Sequence, residues 1–234
     1  INLFNEVNSF FGYQYFDGPD ENFGNLSATG KHEEGLPFAG ISYIHDTRNL
    51  KQFPESGIFS NISFTHKGFG ADGAEYNVFD LEFREYRKIY YELISKWRFA
   101  YRGTFGNQIP FYDLSYFGLN EYVRGHRNDE REGHNSFISS LEFSYPIVKE
   151  WNFSIKLPLL PRSLTSARIG IYLKSFGDAG ITYDNTSDIS FNKFYSGYGI
   201  GLTVLLIPYN AFRLEYAIND WGEGELLFSS GIAF

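Results

Sequence analysis

The run Phe79-Asp80-Leu81-Glu82-Phe83-Arg84 alternates without exception: Phe79, Leu81 and Phe83 take one face of an extended chain, Asp80, Glu82 and Arg84 the other. Successive side chains of a strand point to opposite sides, so period two over this length specifies a strand with one apolar and one charged face. Residues 95–105 repeat the pattern, with Trp97, Phe99, Tyr101 and Phe105 opposite Lys96, Arg98 and Arg102. Looser copies follow. Phe137, Leu141, Phe143 and Tyr145 oppose Ser140, Glu142 and Ser144, and Ile169, Ile171 and Leu173 oppose Arg168 and Lys174. Tyr198, Ile200, Leu202, Val204 and Leu206 oppose Gly197, Gly199, Gly201 and Thr203; Phe212, Leu214, Tyr216 and Ile218 oppose Arg213, Glu215 and Ala217. Leu226, Phe228, Ile232 and Phe234 form a last apolar face. With strands expected near 3–16, 35–45 and 57–66, the count is ten, with eight and twelve as alternatives. The fold class is therefore all-β, and an even number suits an antiparallel barrel.

The strands are separated by clusters of Gly, Asn, Asp, Pro and Ser, the residues of turns. Short connections are expected near 88–91, 208–210 and 146–151, and long polar ones at 17–34, 69–75, 106–135, 182–193 and 219–224. One edge with short turns and one with long loops is the asymmetry of an outer-membrane barrel. The stretch 152–166, with Pro158 and Pro161, breaks the regularity and is read as lying on a rim or hiding two further strands. No domain boundary stands out, so residues 1–234 are read as one barrel domain.

Composition narrows the class. Of 234 residues, 3 are Trp, 18 Tyr and 25 Phe, a fifth of the chain and about twice an ordinary aromatic content. Cys and Met are absent, which excludes disulfides, thiolate metal sites and thiol nucleophiles, and excludes Ile1 as a translational start; the chain is read as processed or a fragment. The net charge of −8 and scattered basic residues offer no footprint for nucleic acid. Mean hydropathy is −0.29 and no apolar run approaches the ~20 residues of a membrane helix. A membrane strand needs only ~9–11 residues with one apolar face, so a hydrophilic average is compatible with a barrel in lipid.

The alternative is a soluble β-barrel with its apolar faces inside. Three features favour lipid. The apolar faces are aromatic, with Tyr90, Tyr91, Trp97, Trp151, Tyr183, Tyr209 and Trp221 near strand ends, as interfacial girdles require. The opposite faces mix Asp80, Glu82, Glu142 and Glu215 with Arg84, Lys96, Arg98, Arg102 and Arg213, charges able to pair across a wet lumen. Phe228, Ile232 and the terminal Phe234 resemble the carboxy-terminal strand signal of bacterial outer-membrane proteins.

In the long 106–135 connection, Ile109-Pro110-Phe111-Tyr112-Asp113 leads through Phe117-Gly118-Leu119-Asn120 to Val123-Arg124-Gly125-His126. This resembles the lumen-inserted loop of the outer-membrane assembly superfamily, the BamA and TamA type of bacterial surface antigen barrel, whose hallmark is Val-Arg-Gly followed by Tyr or Phe. His126 departs from it. Tyr-Ile-His-Asp-Thr-Arg-Asn at 43–49 with Phe53-Pro54 and Ser56-Gly57 is similar to a strand and Pro-x-x-Gly turn of that family. Ser140-Leu141-Glu142-Phe143 with Tyr145-Pro146, Phe176-Gly177-Asp178-Ala179-Gly180, Tyr198-Gly199-Ile200-Gly201-Leu202 and Phe212-Arg213-Leu214-Glu215-Tyr216-Ala217 resemble the strands that follow. The likeness covers roughly residues 35–234 and corresponds to the last ten strands of what is usually a sixteen-stranded barrel.

The resemblance implies that Arg124 reaches the inner wall and pairs with Asp178 and with Glu142, and that Gly125 permits a tight loop tip; Val123 and His126 complete this lock. It further implies residence in the outer membrane of a Gram-negative bacterium, contact with its lipids, and a part in inserting or assembling outer-membrane proteins. Partners would be unfolded β-barrel clients or other envelope proteins, with homo-oligomers expected at unpaired edges. Residues 1–34 are too short for a client-receiving domain, so the expectation is a minimal, barrel-only member. A structural or anchoring subunit, or the anchor of a lost hydrolase domain, is the alternative. No cofactor or metal is expected: His32, His45, His66, His126 and His134 lack zinc-site spacing. No Ser or Cys near His45-Asp46 or Asp178 forms a nucleophile elbow, so no enzyme is expected. Alternating Gly197, Gly199 and Gly201 predict a smooth inner face where another backbone packs closely.

Overall fold

The structure is a computed structural model that describes residues 4–18, 27–51, 53–118, 121–154, 166–207 and 210–231. Ten strands form one antiparallel sheet in chain order: β1 (Asn5–Asp17), β2 (Glu33–Asp46), β3 (Gly57–Ala71), β4 (Ala74–Tyr90), β5 (Leu93–Asn107), β8 (Asn135–Ser154), β9 (Ser166–Tyr183), β10 (Tyr195–Ile207), β11 (Asn210–Asn219) and β12 (Gly224–Gly231). Two three-residue strands, β6 (Ser115–Phe117) and β7 (Arg131–Gly133), make a separate hairpin inside the 106–135 connection. Among the described residues β1 and β12, at the two ends of this order, each pair with one neighbour.

Register carries the period-two pattern from strand to strand. Asn61, Glu82 and Ala100 lie side by side, as do Lys96 with Glu142 and Lys174 with Gly201 and Glu215, because Lys96 faces Glu142 while Gly201 faces both Lys174 and Glu215. The charged residues thus share one face, interspersed with small and polar ones such as Asn61, Ala100 and Gly201. The other face carries exposed Phe11, Ile62, Trp97, Leu141, Tyr198, Ile200, Leu214, Tyr216 and Phe228, an apolar and aromatic exterior suited to lipid.

Two expected connections are different. The stretch 69–75 is not a long loop: β3 and β4 are joined by Asp72-Gly73 alone, both at positive φ (50° and 88°), as a two-residue hairpin of the I′ kind requires. Its loop-like composition belongs to a bulge, with Gly68, Phe69 and Gly70 also at positive φ. The stretch 146–151 is not a turn but the middle of β8, with register shifts between Pro146 and Val148 and between Val148 and Trp151. A proline cannot donate to the ladder and sits at the bulge. The reading of 152–166 falls largely on residues outside those described, as do Leu119, Asn120, Tyr209, Ile232 and Phe234; what is described of 152–166 extends β8 and β9.

The core lies inside the sheet and is filled by the connection. Of the eight largest fully buried side chains among the described residues, Pro110, Ser115, Phe117, Val123 and His126 come from 106–135. Phe117 and Val123 pack with Ile138 of β8 and Tyr195 of β10. At the other end, residues 47–56 between β2 and β3 bring Phe53 onto Tyr172 (centroids 4.4 Å apart), beside Ile94, Leu205 and Ala211.

Candidate functional site

The site is built where the tip of the long connection meets the charged faces of β8, β9 and β11. Arg124 Nε donates to Asp178 Oδ2 at 2.6 Å and Nη2 to Oδ1 at 2.7 Å, a two-toothed clasp that suits a planar guanidinium. Its backbone N–H donates to Asp178 Oδ2 at 3.2 Å. Nη1 donates to Glu215 Oε1 at 2.9 Å, Glu142 Oε1 lies 3.4 Å from Nη2, and the guanidinium sits 3.7 Å over the Phe176 ring. The carboxylates are shared: Lys96 is 3.1 Å from Glu142, Lys174 is 3.7 Å from it, and Lys174 also pairs with Glu215. Arg124, Lys96 and Lys174 thus share three carboxylates within one nearly dry cluster, with buried Arg213 of β11 beside them. Buried charges tolerate removal from water only when paired and hydrogen-bonded in this way.

The tip backbone is held as closely as the side chain. Gly125 has φ +95°, a conformation that favours glycine. Its N–H donates to Glu225 of β12 at 3.0 Å and its carbonyl accepts from Asn219 at 3.0 Å. The Arg124 carbonyl lies where a side chain at Gly197 would stand, 1.9 Å from an ideal Cβ position. Gly197 of β10 therefore forms a trough for the loop backbone, while the spaces at Gly199 and Gly201 are filled by Tyr216, Phe176, Glu215 and Lys174 of the neighbouring strands. Val123 is buried against Phe117 and Tyr195.

His126 is 1% exposed. Its ring stacks on Tyr195 (4.2 Å, 11°) and meets Trp221 edge-on (4.7 Å, 88°), as an aromatic residue could. It also makes contacts that Phe or Tyr could not reproduce, Nδ1 to Asp129 at 2.8 Å and Nε2 to Asp220 at 2.6 Å. Burial alone would raise the Asp220 carboxyl, but the Ser196 backbone N–H and His126 hold it below its ordinary value.

Two further stations fix the connection to the other half of the sheet. Asp113 accepts from Lys67 with 2.8 Å contacts to both oxygens and from the Tyr76 hydroxyl at 2.6 Å; Arg102 lies 3.6 Å from it. Glu121 accepts from Arg98 at 2.7 and 2.9 Å. Glu225 and Glu121 were not singled out in the sequence, and Glu215 and Asp113, though named there, were not placed in the lock. Glu215 already stood on the polar side of its strand, but only register across four strands places it beside Arg124. Of the carboxy-terminal residues, Phe228 faces outward on β12 and is exposed. Among the described residues one trio, Asp17, His32 and Glu33, gathers ligand-type atoms within 4.8 Å, all of them exposed.

Over residues 5–234 the sequence matches the family described as the Omp85 superfamily domain. No curated protein sequence matches it. Among solved structures, the crystal structure of BamA from Haemophilus ducreyi lacking POTRA domains 1-3 aligns with a TM-score of 0.67 and 16% identity, over 98% of this chain and 52% of that one. The chain spans about half the length of that structure, and at this identity the likeness is one of fold.

Proposed function

Because the chain belongs to the Omp85 superfamily, we propose that it works as an outer-membrane barrel that assists the insertion or assembly of other outer-membrane proteins, with its 106–135 loop locked in the lumen through Val123, Arg124, Gly125 and His126 against Glu142 and Asp178. What supports this reading is the superfamily match together with a sheet whose outward face is apolar and aromatic and whose inner face holds the loop through the clasp of Arg124 on Asp178. The aromatic exterior supports residence among the lipids of a Gram-negative outer membrane.

The test is reconstitution. Vesicles carrying the purified chain receive a urea-unfolded outer-membrane β-barrel client, and client folding is followed by heat-modifiable mobility on gels. Folding faster than in empty vesicles is expected. A rate equal to that of empty vesicles, with the chain itself folded, overturns the assembly role and leaves a structural subunit.

A further inference from the structure

Between the charged face of the sheet and Phe53-Pro54 of the 47–56 connection lies a cavity of about 50 Å³, several times the ~10–15 Å³ that one water needs. Strand register makes it, by setting long cations beside small hydroxyl residues. Lys174 of β9 faces Ser144 of β8, and Arg213 of β11 faces Thr203 of β10. All four line the cavity, with Lys96 and Glu142, which face each other across β5 and β8. Its wall thus carries three positive charges and one negative. Lys174, Arg213 and Thr203 are each more than nine-tenths buried. Among the described residues the Thr203 hydroxyl, which borders the cavity, has no hydrogen-bond partner.

We infer that this cavity is a binding site for one small inorganic anion of the halide class. Charge is the first reason. Lys96, Lys174 and Arg124 draw on Glu142, Glu215 and Asp178, and the carboxylates that act on Arg213 are the same Glu142 and Glu215. Four cations thus share three acids in a place with little water, where uncompensated charge is costly. A recess lined mainly by one sign gathers the opposite ion. Direction is the second reason. The two ammonium groups, the guanidinium and the Thr203 and Ser144 hydroxyls are all donors, and charge-assisted bonds to an anion suit them. Water would satisfy Thr203 and leave the charge uncancelled. Size is the third, because the cavity has room for a halide and none for a carboxylate-bearing sugar acid. The inference goes beyond the assembly reading, since it concerns the chain without any client and stands or falls independently of insertion activity.

The test uses the full chain in detergent, with sodium chloride, sodium bromide or sodium gluconate at equal ionic strength, and follows the temperature at which heat-modifiable mobility is lost. A saturable rise with chloride and bromide, absent with gluconate, is expected. An equal response to all three salts overturns the site. Thr203→Val keeps the shape of the side chain and removes its donor. The half-saturating chloride concentration should then rise about tenfold or more, as the loss of one hydrogen bond to a charged group requires. An unchanged concentration overturns the placement of the ion in this cavity. Should Thr203→Val fail to fold, Ser144→Ala is judged by the same criterion. Bromide soaked into crystals of the parent chain locates the ion directly: an anomalous peak within hydrogen-bond reach of Lys174 and Thr203 is expected, and water alone at that place overturns the inference.

Discussion

Arg124 is tied by its guanidinium to Asp178, Glu215 and Glu142, while each wall acid answers to a different number of cations, so truncations on the wall should differ in effect. Asp178 has Arg124 as its cation, through three contacts, whereas Glu142 and Glu215 also face lysines. Removing one partner of a buried pair costs ~3–5 kcal/mol. Asp178→Ala should therefore shift loop docking by roughly 100- to 4,000-fold, at about 1.4 kcal/mol per tenfold, and trypsin should cut within 124–131 correspondingly faster. Cleavage at the parental rate would refute the clasp. Glu215→Gln should have a smaller effect, since Asp178 still holds the guanidinium. At His126 the expectation concerns acid. The Asp220 carboxyl is held below its ordinary value, so its contribution is fully present above the unfolded value of ~3.9 and is lost only as pH falls through the lower folded one. Amide protection near 126–129, measured against the intrinsic exchange rate at each pH, should then hold at pH 5 and fall well below pH 4, and Asp220→Asn should flatten that dependence. Arg124, Asp178 and Glu142 were legible because motif order along the chain carries them. Glu215 and Glu225 were not, because facing residues from β9 to β12 are fixed by strand register, which no local motif encodes.

Strand β10 contains Gly197, Gly199 and Gly201 on its inward side, and the close approach of the Arg124 carbonyl makes Gly197 the most constrained of them. Gly197→Ala should expel the tip and raise trypsin cleavage at 124–131 as strongly as Asp178→Ala does. Gly177→Ala, on neighbouring β9 with nothing within 4 Å of its would-be Cβ, should leave cleavage unchanged; equal effects of the two would remove the trough as the cause. The alternation of β4 and β5 was readable because each face keeps one chemistry over the whole strand. The hairpin at 72–73 and the long β8 were misread for one reason: Gly, Asp and Pro signal a chain break, yet a bulge uses the same residues to continue a strand with an extra twist. The β6–β7 hairpin has three residues per strand, too few for a period to show.

Across the molecule, the loop's acids and its arginine meet different stretches of the wall. The loop acids Asp113 and Glu121 meet Lys67, Arg98 and Arg102 on β3 and β5, while Arg124 and the Gly125 N–H meet Glu142, Asp178, Glu215 and Glu225 on β8, β9, β11 and β12. A variant lacking residues 109–132 should conduct more current across a planar bilayer than the parent. Its reversal potential in a salt gradient should stay near zero, since the exposed groups are of both signs; strong cation or anion preference would contradict the arrangement. Emptied of its loop, the lumen would keep the pairs that its own wall makes, Arg98 with Glu82, Arg102 with Asp80, Lys96 with Glu142 and Lys174 with Glu215. What it would lose is the cation of Asp178, so the docked loop withdraws one acid from the water of the pore and leaves the rest of the wall to neutralise itself.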